Sequence, residues 1–209
     1  MSDFARQLPI VVLGQHVPEA TTFDTVNSDD RMGALLAVKT LIEAGHKRIH
    51  MISIPEHGSN SDVFCIRETG YRAAMEEAGL GGLASVHRMK GDTIRDPSIR
   101  DQLARLLAED NRPSAFFCWS DIHALELIDL AEQSGLVLPD DLSIVGYDNS
   151  KLGAHSRINL SSVDQKGEEM GALAAKAILS RIEGRQDAVH HIVPPELILR
   201  KSSGLWTGQ

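Results

Sequence analysis

The residues whose types and spacing could do chemistry lie at the ends of two short apolar runs. Ala115–Trp119 is followed at once by Ser120 and Asp121, and Leu142–Tyr147 by Asp148 and Asn149. A carboxylate such as Asp148 at a strand end can accept two hydrogen bonds from neighbouring hydroxyls, and a charged acceptor makes such bonds strong. The same dipeptide, Asp-Asn, is also a common turn pair, and on pattern alone a turn aspartate is the first reading of Asp148. Arg67 stands at the start of a helical pattern, where its planar fork suits a hydroxyl pair, a carboxylate or a base edge, or simply water. Ser120 is either a polar contact or the cap of the next helix. Trp119 is either a stacking platform for a ring or part of the core.

No catalytic constellation can be assembled around these residues. There is no HExxH, no CxxC, no GxGxxG, no P-loop and no nucleophile elbow. His190 and His191 are adjacent, and adjacent strand residues point to opposite faces, so they do not share an ion. We therefore expect neither an enzyme nor a metal or cofactor site. His57 is kept as a ligand candidate because its loop, Pro55–Asp62, is expected beside the strand ends.

The elements that must position these groups alternate. Asp121–Ser134 carries Ile122, Leu125, Ile128 and Ala131 at helical spacing, with Gly135 as its stop and Pro139 beyond. Strand, helix and strand so close together form a βαβ unit in a parallel sheet, whose ligands bind at the carboxyl ends of the strands. The same alternation runs through most of the chain. Strands are expected at Leu8–Leu13, Thr25–Ser28, Arg48–Ile54, Ser85–Gly91, Val189–Val193 and Glu196–Leu199, with a turn around His16 to Pro18. Helices are expected at Asp29–Ala44, up to Ala78, at Ile99–Glu109 and from Asp164 to Gly184, and Lys201–Gln209 reads as a tail. The class is α/β with Rossmann-like parallel sheets.

With 29 acidic against 21 basic residues in 209, the formal net charge is −8, which argues against a nucleic-acid surface on this stretch. Cys65 and Cys118 have no partner spacing and read as reduced thiols. No cationic region followed by an apolar run opens the chain, and no stretch is long enough to span a membrane, so a cytoplasmic protein is expected. The chain opens on an apolar strand with nothing before it to pair, and the helix after Asp164 needs a face to cover. Together they suggest one complete lobe plus part of a second.

Six segments in register carry a resemblance: LPIVVLGQ, DDRMGALLAVKTLIEAGHKRI, RETGYRAAMEEAGL, PSAFFCWSDIHALELIDLAEQSGLVLPDDLSIVGYDNS, INLSSVDQKGEEMGALAAKAIL and PPELILRKSSG. Their order and spacing resemble the effector-binding region of the lactose-repressor/galactose-repressor (LacI/GalR) family, which has the type 1 periplasmic-binding-protein fold. The resemblance implies residues 29–163 as a C-terminal lobe, 1–28 and 164–193 as parts of an N-terminal lobe, and 194–209 as a return to the C-terminal lobe. It implies a sugar or small polyol-like effector between the lobes. Operator DNA would be bound only through an N-terminal helix-turn-helix domain absent from this stretch. It implies a homodimer formed through Leu125 and the Lys151–Ser156 loop, with no membrane partner.

The resemblance also bears on residues. Asp148 and Arg67 match the family's effector-contacting aspartate and arginine, and Gln165 matches the glutamine of its crossover segment. Asp121 keeps the acid of the usual Asn-Asp pair, while Ser120 replaces the amide. Trp119 stands where a small residue is usual. Gly14 replaces an aspartate used by some members, and Thr93 an aromatic used by others, so this pocket copies neither the lactose nor the purine site. A solute-binding protein of a sugar transporter is the competing function with the same fold.

Overall fold

The computed structural model describes residues 8–14, 17, 20–54, 63–89 and 93–207. A three-stranded parallel sheet has the order β1 (Val11–Leu13), β2 (Asp24–Ser28), β8 (His190–Val193). A six-stranded sheet has the order β4 (Ser85–Arg88), β3 (Ile49–Ser53), β5 (Ala115–Cys118), β6 (Ser143–Tyr147), β7 (Ser161–Asp164), β9 (Glu196–Ile198). All its pairings are parallel except β7 with β9, which is antiparallel. The helices are α1 (Asp30–Glu43), α2 (Val63–Glu77), α3 (Pro97–Leu107), α4 (Asp121–Gln133) and α5 (Gly167–Ile182).

The larger sheet is covered on both faces, as its short continuous apolar strands require. Ile52, Phe116, Cys118 and Ile144 point toward α3 and α4 and pack on Leu103, Leu107, Leu127 and Leu130. Ile49, Met51, Phe117, Val145 and Tyr147 face the other way onto α1 and α2, meeting Leu35, Val38, Leu41, Tyr71 and Met75. Side-chain alternation with period two thus divides one set of strands between two cores. The smaller sheet has one modest cluster, Val26 and Val193 against Met170 and Ala174 of α5. Apolar residues also remain outside the core in this part of the chain: Ile182 is 66% and Ile192 54% exposed.

Local sequence accounts for most boundaries. Asp29 caps α1 by accepting from the Met32 amide at 2.9 Å, and Asp96 caps α3 by accepting from Ser98 at 2.9 Å. Helix α5 departs from expectation. Its N-cap is Lys166, in the left-handed region at φ 60°, and Asp164 accepts from the Lys166 amide at 2.7 Å instead of capping the helix itself. The expected tail is tied down through residue 206: Ser202 bonds across to Ile144, and Trp206 lies 5.6 Å from the buried ring of His46. The turn at His16–Pro18 and the Pro55–Asp62 loop lie wholly or mostly outside the described residues. Burial pushes the Cys118 thiol up, so it stays protonated and unreactive.

A histidine pair bridges β3 and β4. His50 Nδ1 and His87 Nε2 are 2.9 Å apart, and both rings lean on Phe116. Burial first, then the charges of His87 and Arg48, hold His50 down to about 4, and burial lowers His87 as well. Both groups are therefore more basic in the unfolded chain, so their contribution to stability is complete above about pH 6.5 and is lost as pH falls toward about 4. Urea midpoints measured between about pH 7 and about pH 4 should fall, and His50→Gln should flatten that fall. An unchanged slope in the variant would acquit the pair.

Candidate functional site

Arg67 sits one turn into α2, and α2 lies hard against α1. Gly70, one turn further on, permits this: a Cβ there would collide with the Arg31 carbonyl of α1. The approach brings Arg67 beside Asp30, the first residue of α1. The guanidinium is only 4% exposed. Its Nε donates to Asp30 Oδ1 at 2.8 Å and its Nη1 to the Trp119 carbonyl, at the end of β5, at 2.6 Å. Its Cζ lies 3.6 Å from the Tyr147 ring centre and 5.1 Å from that of Trp119. A buried cation is stable only with such counter-charge and complete hydrogen bonding, and the aromatic face adds to it.

Asp148 follows directly at the end of β6, with φ of 110°. Its Oδ1 lies 4.0 Å from Arg67 Nη1 and accepts from Gln165 Nε2 at 2.7 Å. Unlike Arg67 its side chain is 40% exposed, so an outward edge of the carboxylate remains available. Arg67, Asp148, Gln165 and Trp119 are therefore brought together, at the carboxyl ends of β5 and β6 and the beginning of the crossover after β7. What they can do together is bind: a charged donor, a charged acceptor, an amide and an indole converge, with no nucleophile among them.

Of the remaining expected residues, Asp121, Ser120 and Thr93 have their polar atoms engaged in the fold. Asp121 is 2% exposed; its oxygens accept from Ser162 Oγ and the Ser150 amide, both at 2.6 Å, tying α4 to the loop after β6. Ser120 is buried and its Oγ meets His123 Nδ1 at 2.8 Å, so it occupies the N-cap position without a side-chain capping bond. Thr93 donates to Glu126 of α4 at 2.7 Å, and Glu126 also accepts from the Ile94 amide at 2.9 Å. This group joins the segment before α3 to α4. His57 lies outside the described residues.

Two members of the arrangement were not singled out from the sequence. Asp30 reads there as an acid at a helix start, and Tyr147 as a strand residue. A third group braces the crossover. Asn149 donates to Asp164 Oδ2 at 3.1 Å and accepts from Arg200 Nη2 at 2.6 Å.

Burial pushes the Asp148 carboxyl up to about 6; the charges of Asp121 and Asp30 act in the same sense, against Arg67 and the Gln165 bond. The free acid is thus favoured on folding. Its contribution to stability is present below about pH 4 and is lost as pH rises through about 6. Asp148→Asn, which is fixed neutral and tolerates positive φ, should unfold at higher urea than the parent near pH 7, the gap closing toward pH 4. A less stable variant near pH 7 would show that the ionised group is the favoured one.

Residues 38–203 match the model of the periplasmic binding protein-like domain. The HTH-type transcriptional repressor PurR of Photobacterium profundum is 30% identical over 198 residues, 93% of this chain and 57% of its own length. The ribose operon repressor of Haemophilus influenzae is 32% identical over 201 residues, 96% of this chain and 59% of its own. Thus the chain spans less than two thirds of these relatives. Among solved structures, a LacI transcriptional regulator from a Rhodococcus species aligns with a TM-score of 0.83 at 29% identity, over 97% of this chain and 72% of that one. A CelR–cellobiose complex aligns at 0.76 and 29% identity, over 94% and 59%. This chain belongs to the periplasmic binding protein-like domain family, and it corresponds to the effector-binding region of LacI-family regulators.

Proposed function

We propose that this chain senses a sugar or small polyol-like effector on behalf of a DNA-binding transcriptional regulator. The observation that carries the reading is the convergence of Arg67, Asp148 and Gln165 at the carboxyl ends of parallel strands. The guanidinium donates to ring or chain hydroxyls, the exposed edge of Asp148 accepts from them, and Trp119 supplies an apolar ring. Operator DNA is contacted through a separate helix-turn-helix domain, in keeping with the acidic charge of this stretch and with the repressor relatives. The protein works in the cytoplasm; none of the described helices is long and apolar enough to cross a membrane.

The two sheets support a division into lobes, with 1–28 and 164–193 in one and 29–163 and 194–209 in the other. The chain then crosses between lobes after β2, after β7 and after β8, and an effector biases their relative orientation by binding one arrangement more tightly than the other. Isothermal titration of the full-length gene product with a panel of pentoses, hexoses and disaccharides should find a binder. Arg67→Ala and Asp148→Ala should each weaken it by about tenfold or more, the loss of a charged hydrogen bond being worth about 2 kcal/mol. Undiminished binding in both variants would remove these residues from the site. A transporter solute-binding protein is the second reading; a helix-turn-helix encoded upstream decides against it.

The same chain forms a homodimer through α4 and the loop after β6. Ile122 is 52% and Leu152 58% exposed, and with Leu125 and Ile158 they line an apolar hollow of about 240 Å³ rimmed by Arg95 and Asp129. Exposed apolar side chains grouped in this way favour association. In sedimentation the parent should run as a dimer and Leu125→Glu as a monomer; a monomeric parent would refute the arrangement.

A further inference from the structure

We propose that Asp30 is the positioning residue for Arg67 and that it links the effector contact to the crossover between the two sheets. This rests on reading Arg67 as an effector contact. Asp30 cannot meet a guest itself, since its side chain is 3% exposed and turned onto Arg67 Nε. A guanidinium is planar, so anchoring Nε at 2.8 Å and laying the group on the Tyr147 ring at 3.6 Å leaves it one orientation. In that orientation Nη1 serves the Trp119 carbonyl and faces Asp148. Gly33, one turn along α1 from Asp30, completes the seat, because a Cβ there would collide with the Tyr147 hydroxyl. One turn of α1 therefore supplies both the counter-charge and the room for the ring beneath the cation.

The position of Asp30 in the chain gives the link. Ser28 is the last residue of β2 in the three-stranded sheet, and the Asp29 amide donates to Val193 of β8 in the same sheet at 3.0 Å. Asp30, the next residue, holds Arg67 against the six-stranded sheet. On the far side of the site, Asp148 is held by Gln165, which leaves β7 and leads into α5, the helix packed on the smaller sheet. The run goes from β8 through the Asp29 amide and along the chain to Asp30, by hydrogen bond to Arg67, across a 4.0 Å ion pair to Asp148, and by hydrogen bond to Gln165, which leads into α5. They touch two crossovers, and a guest drawing Arg67 and Asp148 together pulls on both.

The test uses arginine side-chain and amide hydrogen exchange by NMR on this chain, in the parent, Asp30→Asn, Asp30→Glu and Gly33→Ala. Asp30→Asn should speed exchange at Arg67 Nε by about tenfold, the equivalent of one lost charge-assisted bond. The Asp29 amide should speed up with it, while Phe116 and Ile144 stay protected. Asp30→Glu should recover part of the Arg67 protection, and Gly33→Ala should loosen the same two groups by tilting Tyr147. Unchanged Arg67 protection in Asp30→Asn overturns the positioning role. Faster exchange at Arg67 with an unmoved Asp29 amide overturns the link. Loss of protection throughout the core, Ile144 included, assigns Asp30 to the fold alone and overturns both. No effector enters this measurement, so its result is separate from the outcome of the sugar titration.

Discussion

The structure turns on one constraint: a guanidinium withdrawn from water must be given a counter-charge, hydrogen-bond acceptors and a flat surface at once. Arg67 receives all of these from different elements, Asp30 from α1, a carbonyl from the end of β5 and an aromatic face from the end of β6. Withholding any of them would leave a buried cation uncompensated, a penalty of several kcal/mol. Satisfying the cation therefore fixes where α1 and α2 sit against the strand ends. The neighbouring acids differ in exposure. Asp30 and Asp121 are engaged and buried, whereas Asp148 keeps an open edge, and burial makes both Asp121 and Asp148 weaker acids than usual.

A second ionic tie secures the smaller sheet in the same manner. Asp24, fully buried at the start of β2, accepts from Arg181 in the last turn of α5, from Arg185 just beyond that helix and from the Val189 amide. Burial opposes its ionisation, yet these bonds hold its carboxyl well below the usual range. The small apolar cluster beneath this sheet is modest by comparison. The ion pairs supply what it lacks: a fixed register of β2 and β8 relative to α5, and with it the point from which Asp29 and Asp30 leave for the larger sheet.

Much of this was legible in the sequence. Apolar runs bounded by Gly, Pro and Asp located the strands and helices within a few residues, because burial on both faces leaves little choice of composition. The strand-end rule then pointed to Asp148, Ser120 and Asp121. What spacing could not convey was the direction in which each polar atom is spent. Asp121 and Ser120 stand at the start of α4 and Thr93 in the segment before α3, and their short side chains find partners in Ser162, His123 and Glu126. Asp30 was hidden for the converse reason. An acid in a first helical turn has a sufficient local explanation in the helix dipole, so nothing local announces a partner 37 residues away. The antiparallel β9 and the packing of Trp206 on His46 likewise depend on contacts of long sequence separation.

Where the chain bends hardest also has a physical reading. Among the described residues four other than glycine have positive φ, and Asp148, Asn149 and Lys166 are three of them. Each costs of order 1 kcal/mol in isolation and persists only where its surroundings overdetermine it. Those surroundings are a continuous set of bonds: Gln165 on Asp148, Arg200 and Asp164 on Asn149, Asp164 on the Lys166 amide, with Lys166 reaching Glu196 of β9. The backbone is thus least relaxed at the end of β6 and at the crossover beside it, and it is held there by polar side chains.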